Sequence, residues 1–295
     1  MSQWDGKSKG TLLGYKIFVF LIKKAGVRAA YALLIFVALY YFLFNPKSFR
    51  AVYYYLRQRQ GYGFWTAFCA VYRLYFVFGQ TIIDKVAISA GLRDRFTYEF
   101  DGIETLKDAL DAQRGGILIS AHVGNFEIAD KFFADIDLNF QINLVTVDQE
   151  RTLIKEYLER INAESSVKFI HIKEDMSHVF EIGDALSNNE LICFTGDRYF
   201  EGMKTLECSF LGKETSFPAG PFHIASRLGV PVIFVYVMKE KNLHYHLYAR
   251  RAEQVKRRDP QSYLEAYRTS VEQMLARYPL QWFNFFDFWS SNKNN

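Results

Sequence analysis

The segment Ser120-Ala121-His122-Val123-Gly124-Asn125-Phe126-Glu127-Ile128 holds residue types suited to proton transfer. A histidine followed five positions later by a carboxylate can form a base with its orienter, the acid fixing the imidazole tautomer and stabilising the imidazolium. On a regular helix five residues leave two side chains about 140° apart, so these meet only if His122 precedes the helix that carries Glu127. Gly124 and Asn125 supply the turn and N-cap chemistry of such a strand-to-helix loop. The loop also leaves backbone N–H groups beside His122, suited to developing negative charge. Read alone, the pair fits equally well a hydrogen-bonded structural histidine and a solvated acid in a first helical turn.

Other chemistries find less support. No third ligand is spaced for a metal beside His122, and the five-residue gap is not the i, i+4 spacing of a zinc-binding helix. The Gly-x-Ser-x-Gly pattern occurs at Gly6-Lys7-Ser8-Lys9-Gly10, where no apolar strand-like run precedes it as a nucleophile elbow requires, and the chain has no phosphate loop or dinucleotide fingerprint. Cys69, Cys193 and Cys208 cannot make a disulfide framework and read as buried small apolar residues. Neither a metal nor a cofactor is called for.

Elements that could position these residues appear after about residue 95. Short apolar runs at 116–121, 142–147, 167–172, 191–195 and 230–238 read as buried strands, and 126–133, 150–163, 177–187 and 221–228 between them as helices. That alternation predicts an α/β domain over 96–295, with a mixed, largely parallel sheet flanked by helices. A surface helix over 260–277 and the aromatic run Gln281 to Trp289 close the chain.

The preceding residues, 1–95, form a basic, aromatic region of different character. Residues 1–60 hold ten Lys or Arg and one acid, whereas the remaining 235 hold 26 basic and 31 acidic side chains. Leu, Ile, Phe and Tyr between the charges point to an anionic membrane and away from nucleic acid. Ala29 to Phe44 is uncharged over sixteen residues, about 24 Å as a helix against about 30 Å of hydrocarbon core. The segments 12–22 and 64–88, interrupted by charges, read as amphipathic helices. With 51 aromatic residues and 50% apolar content in 295 residues, disorder is excluded.

His122-Val-Gly-Asn-Phe-Glu127 resembles the His-x4-Asp/Glu motif of membrane acyltransferases. The whole chain resembles the bacterial late lipid A acyltransferases and, more distantly, the glycerol-phosphate acyltransferases. The likeness rests also on the basic apolar N-terminus, Thr195-Gly196-Asp197-Arg198, Phe217-Pro218-Ala219-Gly220 and Gly229-Val230-Pro231-Val232. It implies a glycerol-phosphate acyltransferase-like fold and residence at the bacterial inner membrane with the catalytic domain facing the cytoplasm. It further implies His122 as general base and Glu127 as its orienter, with an acyl carrier protein or coenzyme A thioester as donor and a lipid as acceptor. Asp197 falls in the family's short acidic motif, and Arg160 matches the place of a basic residue that binds an anionic group.

Substrate contacts are expected from Arg160, Asp197, Arg198, Gly124, Asn125, Phe217 and Gly220, with the oxyanion held by N–H groups near Gly124 and by Arg198. Ala219 stands where glycerol-phosphate acyltransferases carry an acid, which favours a lipid A precursor over a lysolipid. The aromatic tail is also like that of aryl polyene and flexirubin acyltransferases, so such acceptors stay open. Two readings of other kinds also remain, a lipid-binding membrane protein without catalysis and a hydrolase of acyl thioesters.

Overall fold

A strand buried on both faces needs apolar residues throughout, and Gly116-Ile-Leu-Ile-Ser120 supplies them. In the computed structural model, which describes residues 12–133, 140–146, 167–173, 175–200 and 202–289, this segment is a central strand of a seven-stranded sheet. The strands are β1 (Thr97–Asp101), β2 (Gly116–Ser120), β3 (Ile142–Thr146), β4 (Val167–His171), β5 (Leu191–Thr195), β8 (Val232–Lys239) and β9 (His244–Arg251). They lie in the order β1-β9-β8-β2-β5-β3-β4. From β8 to β4 all neighbours are parallel, whereas β9 runs antiparallel to β8 and carries β1 parallel to itself. The sheet is therefore mixed and largely parallel, flanked by helices, as the alternating pattern requires.

A separate hairpin, β6 (Thr205–Phe210) with β7 (Lys213–Pro218), turns at Leu211 and Gly212, both with positive φ, the backbone of a tight two-residue turn. Among the helices are α5 (Ile103–Asp111), α6 (Ala129–Phe133), α7 (His178–Ser187), α8 (Ala219–Leu228) and α9 (Pro260–Arg277). The last begins where Asp259 accepts from the N–H groups of Gln261 and Ser262 and Pro260 fills the first helical position. Far from lying only at the surface, α9 buries Tyr263, Leu264, Tyr267, Val271, Met274 and Leu275. The aromatic tail also enters the core, with Trp282, Phe288 and Trp289 against Phe210 and Trp282 against Tyr55. The expected helix at 150–163 lies outside the described residues.

Among the described residues the α-helices ahead of the sheet are α1 (Leu12–Ala25), α2 (Val27–Phe44), α3 (Pro46–Tyr54) and α4 (Phe64–Ala87). Among the described residues two stretches, Val27–Phe44 and Phe64–Arg95, are long and apolar enough to cross a membrane. They pack closely at Gly79, where an added Cβ would come within 2.3 Å of the Leu34 side chain. Outward, α2 exposes Ile35, Phe36, Leu39, Tyr40, Leu43 and Phe44, and α4 exposes Phe64, Trp65 and Phe68. Cys69 sits on that exposed face, so its reading as a buried residue is corrected. Cys193 and Cys208 are buried, and burial pushes both thiols up to about 12, which keeps them protonated and inert.

Candidate active site

Strand register brings together two residues 75 positions apart. Ser120, the last residue of β2, pairs with Thr195, the last of β5. Two residues beyond each strand end stand His122 and Asp197, so their side chains emerge side by side at the carboxyl edge of the sheet. The Gly196 N–H donates to the Ser120 carbonyl at 2.8 Å and keeps the two exits together. An added Cβ at Gly196 would come within 2.9 Å of Ile119 and of the Tyr267 ring, whose hydroxyl donates to Ser120 O at 3.0 Å.

The Asp197 carboxylate is bonded twice to His122, by the backbone N–H at 3.0 Å and by ring Nδ1 at 2.7 Å. Asp197 is only 4% exposed. Burial alone would raise its carboxyl, but the His122 ring and Arg198 outweigh that and hold it below the usual carboxylate range. An ionised Asp197 accepts only, so Nδ1 carries its proton and Nε2 keeps the lone pair of a base. Burial, aided by the Arg198 charge, lowers the His122 pKa against the opposing pull of Asp197 and Glu127, so neutral imidazole is the favoured form.

Glu127 lies in a short 3-10 turn, Phe126–Ile128, and its carboxylate is paired with Lys85 of α4. Lys85 is the main cause of its lowered pKa, and its negative charge acts on His122 through space. His122 does lie in the loop ahead of the first helical turn, as the five-residue spacing requires. The Nδ1–H hydrogen bond, however, goes to Asp197, while Glu127 accepts from Lys85. In the sequence Lys85 reads only as a charge interrupting an apolar helix, and nothing along the chain links it to Glu127.

The loop is held from two sides. Gly124 has φ of 70° and donates to Gln281 O at 2.8 Å, while Phe283 N–H donates to His122 O at 2.9 Å. A Cβ at Gly124 would stand 2.2 Å from Val237 O, so only glycine fits there. Arg198 donates to Phe283 O at 2.7 Å, which places its guanidinium beside the same tail and near His122.

The remaining candidates are distributed differently. Asn125 is buried, with its backbone N–H on Val237 O and its amide donating to Thr81 O and toward the Tyr245 hydroxyl, which makes it part of the loop's frame. Phe217 is 1% exposed among Phe210, Tyr267 and Phe288. Gly220 is exposed at the start of α8. Arg160 lies outside the described residues. No group of three or more His, Cys, Asp or Glu side chains able to hold a metal occurs among the described residues.

The α/β sheet thus sets a half-buried, carboxylate-held histidine at the carboxyl edge of two adjacent parallel strands, an arrangement suited to proton transfer. The model of the bacterial lipid A biosynthesis acyltransferase family matches residues 74–291, and the chain belongs to that family. It is therefore an acyltransferase, acting with an acyl donor and a lipid acceptor. No curated protein matches the chain.

Proposed function

We propose that this protein moves a fatty acyl chain from an acyl carrier protein or coenzyme A thioester to a hydroxyl of a lipid A precursor at the inner membrane, with its catalytic domain on the cytoplasmic side. The family supports the acyl transfer. The apolar faces of α2 and α4 support work at a bilayer, since exposed patches of Phe, Trp, Leu and Ile have no stable contact with water. The observation that carries the reaction is the double hydrogen bond from His122 to Asp197.

Chemically, the acceptor hydroxyl gives its proton to His122 Nε2 as its oxygen attacks the thioester carbonyl. The tetrahedral intermediate then collapses, breaking the C–S bond, and the proton passes from the imidazolium to the departing thiolate. Asp197 holds Nδ1–H and stabilises the imidazolium, and Glu127 adds negative charge from further off. Arg198, whose charge acts on His122, would stabilise the developing oxyanion, and with Arg160 it would hold phosphate groups of donor or acceptor.

Because His122 must be neutral to act, kcat falls on the acid side with an apparent pKa below the 6.5 of an ordinary imidazole. Replacing Arg198 by Met removes a repelling charge and moves that midpoint upward. A pH series of initial rates on both proteins checks the sign.

The acceptor is decided by mass spectrometry of membranes supplied with a defined acyl carrier thioester and a panel of acceptors. Acylation of the lipid A precursor alone supports the proposal. Acylation of a hydroxylated polyene or a lysolipid instead would replace it, and thioester loss with no acylated lipid would favour a hydrolase.

A further inference from the structure

An ion pair shut away from water lies beneath the His122 loop. Asp84 of α4 is fully buried and Lys239, the last residue of β8, is 7% exposed. Lys239 Nζ donates to Asp84 Oδ2 at 2.6 Å and to the Tyr31 hydroxyl of α2 at 3.0 Å. Tyr31 and Tyr245 donate to the two oxygens of Asp84, and both rings face the ammonium at little more than 5 Å. Desolvating two charges costs about as much as their attraction returns, so a buried pair adds little stability over a well-packed apolar pair. What it does add is directional bonding, and here the bonds reach α2 through Tyr31 on one side and the His122 loop through Tyr245 on the other.

From Asp84 the bonds run through the Tyr245 hydroxyl to the Asn125 amide, and Asn125 N–H closes on Val237 O within β8. From Lys239, the backbone N–H and C=O are both clamped by the Gln281 side chain, and Gln281 O receives the Gly124 N–H. The same turn of α4 supplies Thr81 O to Asn125 and Lys85 to Glu127. One helical turn of the apolar N-terminal region thus bears on Asn125 and Glu127 directly and on Gly124 through Lys239.

Given the reading of His122 as base, we infer that Asp84 and Lys239 are positioning residues: their ion pair joins α2 and α4 to the His122 loop and sets the geometry of acyl transfer. The first helices then belong to the catalytic unit as well as to the membrane.

The test uses the full chain in membranes, with the acyl carrier thioester as donor and the lipid A precursor as acceptor. Asp84→Leu/Lys239→Met removes both charges, so neither is left alone in the interior. Displacing a reacting group by about 1 Å costs about 10² in rate, so kcat is expected to fall about 10²-fold, with the donor KM and the melting temperature near wild type. A pair that merely stabilised the fold would alter the amount of folded protein and leave kcat per folded molecule intact. Wild-type kcat in the double variant therefore overturns the inference.

Should that variant fail to fold, Tyr245→Phe keeps the ring but breaks the link between Asp84 and Asn125. A fall in kcat at unchanged melting temperature is expected, and unchanged kcat overturns the inference. His122→Ala, run beside them, separates the two claims. Wild-type activity in that variant removes the base itself, whereas loss there with full activity in the network variants removes only the joint.

Discussion

His122→Ala is expected to lower kcat by about 10²–10⁴, the usual contribution of a positioned general base, while the donor KM changes little. The split follows from the geometry. Backbone atoms of residue 122 make the bonds to Asp197 and Phe283, and alanine retains both. The loop therefore keeps its course and only the proton acceptor is lost. Asp197 loses one of its donors, at a cost of about 1–3 kcal/mol in stability, which a thermal melt would register as a modest decrease. Initial rates of acyl transfer, per folded molecule, measure the catalytic effect.

Asp197→Asn is expected to cost about 10³–10⁴ in kcat although it keeps the size and shape of the side chain. Two donors, the backbone N–H and ring Nδ1–H, converge on the carboxylate, and a carboxylate accepts both. An amide has one oxygen. Either it faces the backbone N–H and presents its NH2 to Nδ1, forcing the proton onto Nε2, or it serves Nδ1 and opposes one donor to another. In the first case the base has no lone pair toward the acceptor, and in both the imidazolium loses its counter-charge. The acid limb of the pH profile should move further down, because Asp197 is one of the groups that raise the His122 pKa. Glu127→Gln acts only through space and lowers that pKa with a smaller loss of rate. If Glu127→Gln were the more damaging of the two, the roles given to these acids would have to be exchanged.

The contrast between the two acids marks where reading along the chain gives out. His122 and Glu127 are near neighbours, and their spacing alone placed the histidine in a loop before a helix. In the sequence Asp197 stands out only as part of an acidic motif following a strand. Its bond to His122 depends on β2 and β5 being adjacent and in register, which strand propensity does not encode, because parallel strands are joined through distant crossovers. The buried runs at 116–121 and 191–195 were legible, but their adjacency was not. The same holds for Asp84, Lys85 and Lys239, whose partners are 42 to 208 residues away. β9, with the sequence His-Tyr-His-Leu-Tyr-Ala-Arg-Arg, shows no clean apolar run because His246 and Arg250 pair with acids of β1. Arg250 donates to Asp101 through both terminal guanidinium nitrogens.

A different logic explains the tail. Gln281 to Trp289 resembled an aromatic segment of the family, and such composition suits a membrane surface as well as a core. Its position became clear only from what it closes: Trp282 bridges Val123 and Phe283 receives Arg198, so the tail forms one wall of the His122 loop. Aromatic side chains here fill the space between the hairpin β6–β7 and the first helices, with Trp289 Nε1 donating to Phe210 O at 3.3 Å.

The most direct measurement is the initial rate of acylation of a lipid A precursor from an acyl carrier thioester, followed by mass spectrometry in membranes holding equal amounts of folded wild-type protein and His122→Ala. A singly acylated product that forms in the wild type and falls by about 10² or more in the variant is the expected result. Equal product from the two would contradict a histidine base.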